Sequence, residues 1–208
     1  MMANVKIYDN HASEYDAWFD KHNLWFRSEV AALQKVLPLK GKGIEVGIGS
    51  GQFAKALGVD EGVEPSGSMA ALARQRGLKV LNGTAEKLPY EDSSLDFVLM
   101  ITVDCFLDDM HKAFEETHRV LKPGGALIIG MIDKASPLGA IYQEKKKDNV
   151  FYCEATFHTV EEVTSTLKKS GFREFNYWQT LVNILKETLE EPQPAYGKGG
   201  FAVISAIK

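Results

Sequence analysis

The segment Glu45-Val46-Gly47-Ile48-Gly49-Ser50-Gly51 sets three glycines at alternate positions directly after a short apolar run. Glycine here permits a sharp turn and lets backbone approach a ligand closely. The helix that should follow offers free N–H groups to that ligand. A dinucleotide fingerprint needs its last glycine at position 52, where Gln52 stands. Instead the third glycine comes one residue early, and a carboxylate, Glu45, precedes the first. That charge opposes a pyrophosphate and suits a cofactor carrying an ammonium or a sulfonium. Glu64 closes the next apolar run and is followed by Pro65 and Ser66. A carboxylate at that point can accept two hydrogen bonds from a ribose diol. Gly83-Thr84-Ala85-Glu86 follows a third run, where backbone amides can meet an adenine ring.

These residues need elements to hold them. Short apolar runs at 44–46, 62–64, 78–81, 95–101 and 126–131 read as strands. The run at 95–101 is apolar at nearly every position, as a strand covered on both faces should be. Helices are expected over about 52–57, from Ser66 to Gly77, over 108–120, and after Thr159, which has capping-box spacing to Glu162. Two further strands are expected at 172–181 and 201–207. The first 40 residues are helical and aromatic, with Tyr8, Tyr15, Trp18 and Phe19, and end at Pro38 and the Gly41-Lys42-Gly43 turn. Strands alternating with helices imply right-handed crossovers. The expected fold is therefore one doubly wound α/β domain over 1–208. It has a mainly parallel, Rossmann-like seven-stranded sheet and N-terminal helices over 1–40. Ligands of such sheets bind beyond the carboxyl ends of the strands, where each motif above falls.

Composition narrows the partners. The chain has 208 residues, 45% of them apolar and 25% charged, with a formal net charge of -4. A nucleic-acid partner is not expected, because phosphate recognition calls for a basic surplus. Lys145-Lys146-Lys147 reads as a solvated turn. Cys105 and Cys153 form no metal-type or redox pair, and His111 and His118 have no third ligand placed to complete a site, so no metal is expected. With no signal core and no run long enough for a bilayer, neither a membrane partner nor a location outside the cytoplasm is expected.

The motifs together resemble the class I S-adenosylmethionine-dependent methyltransferases, in the small-molecule branch that includes the ubiquinone-biosynthesis type. The resemblance covers roughly 43–131. It rests on the Glu45–Gly51 loop, on Glu64-Pro65-Ser66-Gly67-Ser68-Met69, on the stretch from Gly83 through Leu95-Asp96-Phe97-Val98, and on Arg119-Val120-Leu121-Lys122-Pro123-Gly124-Gly125. It implies S-adenosylmethionine as cofactor. Glu45, Gly47, Gly49 and Gly51 would hold the methionine part and Glu64 the ribose hydroxyls. Pro65 follows Glu64, and Met69 would pack near the adenine, with Thr84, Ala85 and Glu86 at the adenine edge. The family often has an acid or amide where Thr84 stands and a histidine pair where Cys105-Phe106 stand, so no catalytic base is evident. Asp104, Tyr15 and His158 are the candidates for orienting or deprotonating an acceptor. The implied activity is in-line methyl transfer to a small molecule with an N, O or S nucleophile. A non-catalytic S-adenosylmethionine-binding domain and, more remotely, a nicotinamide-dependent oxidoreductase remain as alternatives. The segment 133–157, irregular in pattern yet rich in large apolar side chains, is expected to fold over the acceptor as a lid.

Overall fold

A computed structural model describes residues 2–208, with side chains from Val5 onward. The chain opens with α1 (Met2–Lys21), kinked at His11 where the backbone leaves helical angles, and α2 (Asn23–Gln34). Five parallel strands follow: β1 (Gly43–Val46), β2 (Glu61–Val63), β3 (Lys79–Leu81), β4 (Leu95–Ile101) and β5 (Leu121–Ile132). Between them lie α3 (Gln52–Leu57), α4 (Gly67–Gln75) and α5 (Met110–Val120). After β5 come α6 (Pro137–Lys145), α7 (Val160–Lys169), β6 (Arg173–Thr180), β7 (Gln193–Pro194) and β8 (Phe201–Ile207). The sheet order is β3-β2-β1-β4-β5-β8-β6-β7. The order reverses between β1 and β4, which is the switch point where doubly wound sheets open a crevice.

Each face of the sheet is covered because its strands are apolar on both sides. Ile44, Val46, Val98 and Met100 pack against Phe114 of α5 and against Val163 and Leu167 of α7. On the other face Leu99, Ile101 and Ile128 meet Phe19, Leu33, Phe53, Ala70 and Ala73, which come from α1 to α4. The last strands run antiparallel: β8 inserts between β5 and β6 and pairs antiparallel with both.

Two expectations are corrected. The sheet has eight strands rather than seven, because Gln193 and Pro194 pair with Gln179 and Trp178 on the outer edge. Proline is tolerated on an edge strand where its missing N–H would face away from the sheet. The stretch 133–157 is also not irregular throughout. Ser136 caps α6, its hydroxyl accepting from the Gly139 N–H at 3.0 Å, and Pro137 occupies the first turn. The capping box at Thr159 and Glu162 forms as expected, with both reciprocal bonds present.

The kinked α1 is tied across the carboxyl edge of the sheet. Asp9 accepts from the Ser66 hydroxyl at 2.6 Å and from the Ser68 N–H at 3.0 Å. Two turns further on, Asp16 accepts from Arg76 at 2.6 Å and from Gln52 at 2.9 Å.

Candidate active site

Two clefts meet beneath α1. The first lies over the ends of β1, β2 and β4. Its floor is Val46, Gly47 and Gly49, one side is Glu64, Pro65 and Met69, and the other is Gly83 to Glu86. Val5, Tyr8 and Tyr15 of α1 and residues from Thr102 to Leu107, after β4, complete it. Glu64 is 8% exposed, and its two oxygens accept from the Gly49 N–H and the Ser66 N–H, each at 2.9 Å. One carboxylate thus clamps the glycine loop to the start of α4 and keeps a lone pair on each oxygen for a ligand. Burial pushes its pKa up, against the two amides that pull it down. Gly49 has φ +55, and a Cβ added there would meet the Met69 methyl at 3.3 Å.

The second cleft opens on the far side of Tyr15 and Thr102, which line both. Its walls are aromatic: Trp18, Phe19, Trp25, Tyr142, Phe151 and Tyr152. Phe151, past the end of α6, sets its ring centre 5.4 Å from that of Tyr15 and 5.8 Å from that of Tyr8, so the 133–157 segment closes against α1. One carboxyl, Glu29 of α2, lies in this wall. Among the described residues, no Lys, Arg or His lines either cleft.

Comparison with known proteins assigns the fold. A methyltransferase-domain family model matches residues 44–129. A solved S-adenosylmethionine-dependent methyltransferase of Thermotoga maritima, described as a "possible histamine N-methyltransferase", is 43% identical. It superposes with a TM-score of 0.94 over 98% of this chain and 99% of its own. The chain belongs to the S-adenosylmethionine-dependent methyltransferases. An uncharacterised protein of Methanocaldococcus jannaschii is also 43% identical, over 98% of this chain and all of its own length. A demethylmenaquinone methyltransferase of Chlorobaculum tepidum is 28% identical over 65% of this chain and 66% of its own, in keeping with the ubiquinone and menaquinone type.

The methyltransferase therefore uses S-adenosylmethionine, and the first cleft fits that cofactor on its own geometry. A Cβ on Gly47 would run into Val103, so glycine lets the loop pack against the chain after β4 while it lines the cleft. Burial, and then the nearby carboxyls of Glu45, Glu29 and Glu64, raise the pKa of Tyr15. Buried acids gathered with no cationic partner among the described residues suit a ligand that brings a sulfonium and an ammonium.

Eight of the ten expected cofactor residues line the first cleft: Gly47, Gly49, Glu64, Pro65, Met69, Thr84, Ala85 and Glu86. Glu45 and Gly51 do not. Glu45 is buried on β1 with Oε2 unpartnered among the described residues, and burial holds its pKa well above the usual range. Gly51 is a packing position: a Cβ there would strike Leu78, with Ala73 at 3.2 Å. Of the candidates for acceptor chemistry, Tyr15 stands at the junction of the clefts. Asp104 is 3% exposed and lines neither; burial pushes its pKa up to about 7. His158 also lines neither, and burial lowers its pKa.

Three contributors carry no motif in the sequence. Val5 is an ordinary helix residue until α1 crosses the cleft. Thr102 carries φ +53, a rare conformation for a β-branched residue and a sign of local strain. Like Tyr15, it lines both clefts. Glu29 carried a readable signal: an acid on the buried face of a helix beside Ala32 and Leu33.

Proposed function

We propose that this methyltransferase moves a methyl group from S-adenosylmethionine in the first cleft to a small-molecule acceptor in the second, with Tyr15 and Thr102 between them. The observation that carries this reading is the shared wall: two clefts meet at those two side chains. When bound, the cofactor supplies a methyl group on a sulfonium whose departure leaves a neutral thioether.

The chain's own residues then have distinct tasks. Glu64 receives the ribose hydroxyls while fixing the Gly49 amide. Gly47 and Gly49 admit the methionine part, Met69 and Pro65 pack on the nucleoside, and Thr84, Ala85 and Glu86 border the adenine. Tyr15 orients the acceptor's attack. It stays protonated near neutrality, because burial and neighbouring acids push its pKa up, so it serves as a hydrogen-bond donor rather than as a base. Orientation can supply much of the rate when the leaving group is this good. The 133–157 segment acts as the lid: Tyr142, Phe151 and Tyr152 shut the second cleft against α1 and exclude water.

A labelled-methyl assay over amines, phenols and thiols tests the reading. Transfer to a member of the panel, lost in Tyr15→Ala with S-adenosylhomocysteine affinity kept, is expected. Cofactor binding with no transfer to any of them would favour a binding domain. Hydrogen exchange tests the lid without an acceptor. Protection of 133–157 equal to that of the central strands, and unchanged by cofactor, would remove that role.

A further inference from the structure

We propose that the second cleft selects an acceptor bearing a cationic nitrogen and that Glu29 is the counter-charge that holds it; this rests on the methyltransferase reading of that cleft. Glu29 lies in the middle of α2, is 8% exposed, and forms part of the cleft wall. Among the described residues it has no hydrogen-bond donor and no ion-pair partner. A carboxyl taken from water without a partner is strongly destabilising. Its buried neighbours on that helix face, Ala32 and Leu33, have no side-chain donor to offer it. A partner that arrives with the ligand resolves this.

The rest of the wall points the same way. Trp18, Trp25, Tyr142 and Tyr152 line the same space with aromatic rings, and His22 packs on both tryptophans. An ammonium that meets a ring face there gains from the ring quadrupole, more so once water is excluded. An anionic acceptor would find no Lys, Arg or His among the described wall residues and would face Glu29 directly. The titratable groups acting around Glu29 are tyrosines: Tyr15 and Tyr142 both feel its charge and both titrate far above neutrality. Burial pushes the Glu29 pKa up to about 8, so the empty cleft keeps its proton at pH 7. An ammonium entering therefore displaces that proton to solvent, and the carboxylate and ammonium pair. Glu29 is the anchor of the cation; the atom that takes the methyl is the one the molecule presents at the junction of Tyr15 and Thr102.

The test is calorimetric titration, at pH 7, of protein saturated with S-adenosylhomocysteine. The probes are benzylamine, 2-phenylethylamine and tryptamine, each beside the alcohol of the same skeleton. At least one amine should bind about tenfold or more tightly than its alcohol. Repeating the titration in buffers of different ionisation enthalpy should show release of about one proton. Glu29→Gln should lose about tenfold or more in amine affinity, keep alcohol affinity within about twofold, and release no proton. Its melting curve and its affinity for S-adenosylhomocysteine show that the variant is folded. Amines binding no better than alcohols, or Glu29→Gln keeping the amine affinity, would overturn the proposal. A protein that fails to bind S-adenosylhomocysteine at the outset would instead bring down the reading of the first cleft.

Discussion

The two clefts share a wall, yet they are built in opposite ways. The first is made mostly of short contiguous pieces at the ends of β1, β2, β3 and β4, covered by Val5, Tyr8 and Tyr15 of α1. The second is made largely of side chains from α1 and α2 and from the 133–157 segment, whose lining residues lie more than a hundred positions further along the chain. The first must accommodate one fixed molecule, so glycines and a clamped carboxylate set its shape before binding. The second is shaped by large aromatic side chains brought together from distant elements. One region is therefore specified locally and the other only by the finished fold.

If that contrast holds, the most damaging single change lies in the contiguous region. Gly49→Val should abolish measurable cofactor binding. The position has φ +55, which a β-branched residue rarely adopts, and a side chain there would crowd the Met69 methyl. Calorimetry with S-adenosylhomocysteine on a variant that still melts cooperatively is the measurement. Normal affinity would place the cofactor elsewhere.

The next effect is thermodynamic and belongs to the buried acids. Burial raises the pKa of Glu29 to about 8 and that of Asp104 to about 7, while unfolded carboxyls titrate near 4. Between about pH 4 and 8 the folded protein thus binds more protons than the unfolded chain, so these groups make stability fall as pH rises through that window. Asp16, Glu61 and Glu116, whose pKa values are held down by Arg76, Lys79, Tyr90 and Arg119, act in the opposite sense. The difference between variant and parent isolates the Glu29 part. Glu29→Gln should raise the melting temperature at pH 8 by several degrees, on the order of a few kcal/mol, and much less at pH 5. Equal shifts at both pH values would mean that Glu29 is not titrating in this range.

Glu64→Ala should weaken S-adenosylhomocysteine binding by roughly 30–100-fold, the worth of two hydrogen bonds to a charged acceptor at about 2–3 kcal/mol. The variant also frees the Gly49 and Ser66 amides that Glu64 holds. Glu64→Gln keeps an acceptor for one of those amides and should lose less. Unchanged affinity in both would take Glu64 out of the site.

The same contrast explains what the sequence disclosed. Glu64, the glycine loop and the stretch Thr84 to Glu86 are contiguous motifs whose spacing already carries their geometry, so most of the first cleft is legible in the order of residues alone. The parallel strands are legible because burial on both faces leaves unbroken apolar runs, as in β4. Gln193–Pro194 is not, since two residues on an edge leave no periodic signal. Helix α6 is masked because only Leu138, Gly139 and Tyr142 turn inward while Ala140 and Ile141 are exposed, so it carries no clear apolar stripe, although Ser136 and Pro137 mark its start. Gly51 and Glu45 show the limit of motif reasoning: they stand in the motif, but one packs against Leu78 and neither lines the first cleft. Glu29 and Thr102 belong to no motif, and only tertiary contact gives them a role.

The smallest expected effect separates the clefts most cleanly. Phe151 touches Tyr8, Tyr15 and His11 through its ring and borders only the second cleft. It is only half-buried, so Phe151→Ala should cost little stability. What it removes is the contact by which the 133–157 segment closes against α1. An acceptor bound beneath a loosened lid loses part of its enclosure, and a displacement of about an ångström is enough to spoil an in-line approach. The apparent KM for the acceptor should therefore rise by about tenfold, with a smaller fall in kcat, while affinity for S-adenosylhomocysteine stays within about twofold. Tyr142→Ala, on the same wall, should behave alike. His158→Ala is the control, because His158 lies just beyond the same stretch of chain and lines neither cleft. If Phe151→Ala weakens cofactor and acceptor equally, the clefts form one cooperative site and the division drawn between them fails. If it changes neither while His158→Ala changes acceptor kinetics, the acceptor lies nearer α7, and the aromatic cleft is a packing defect rather than a binding site.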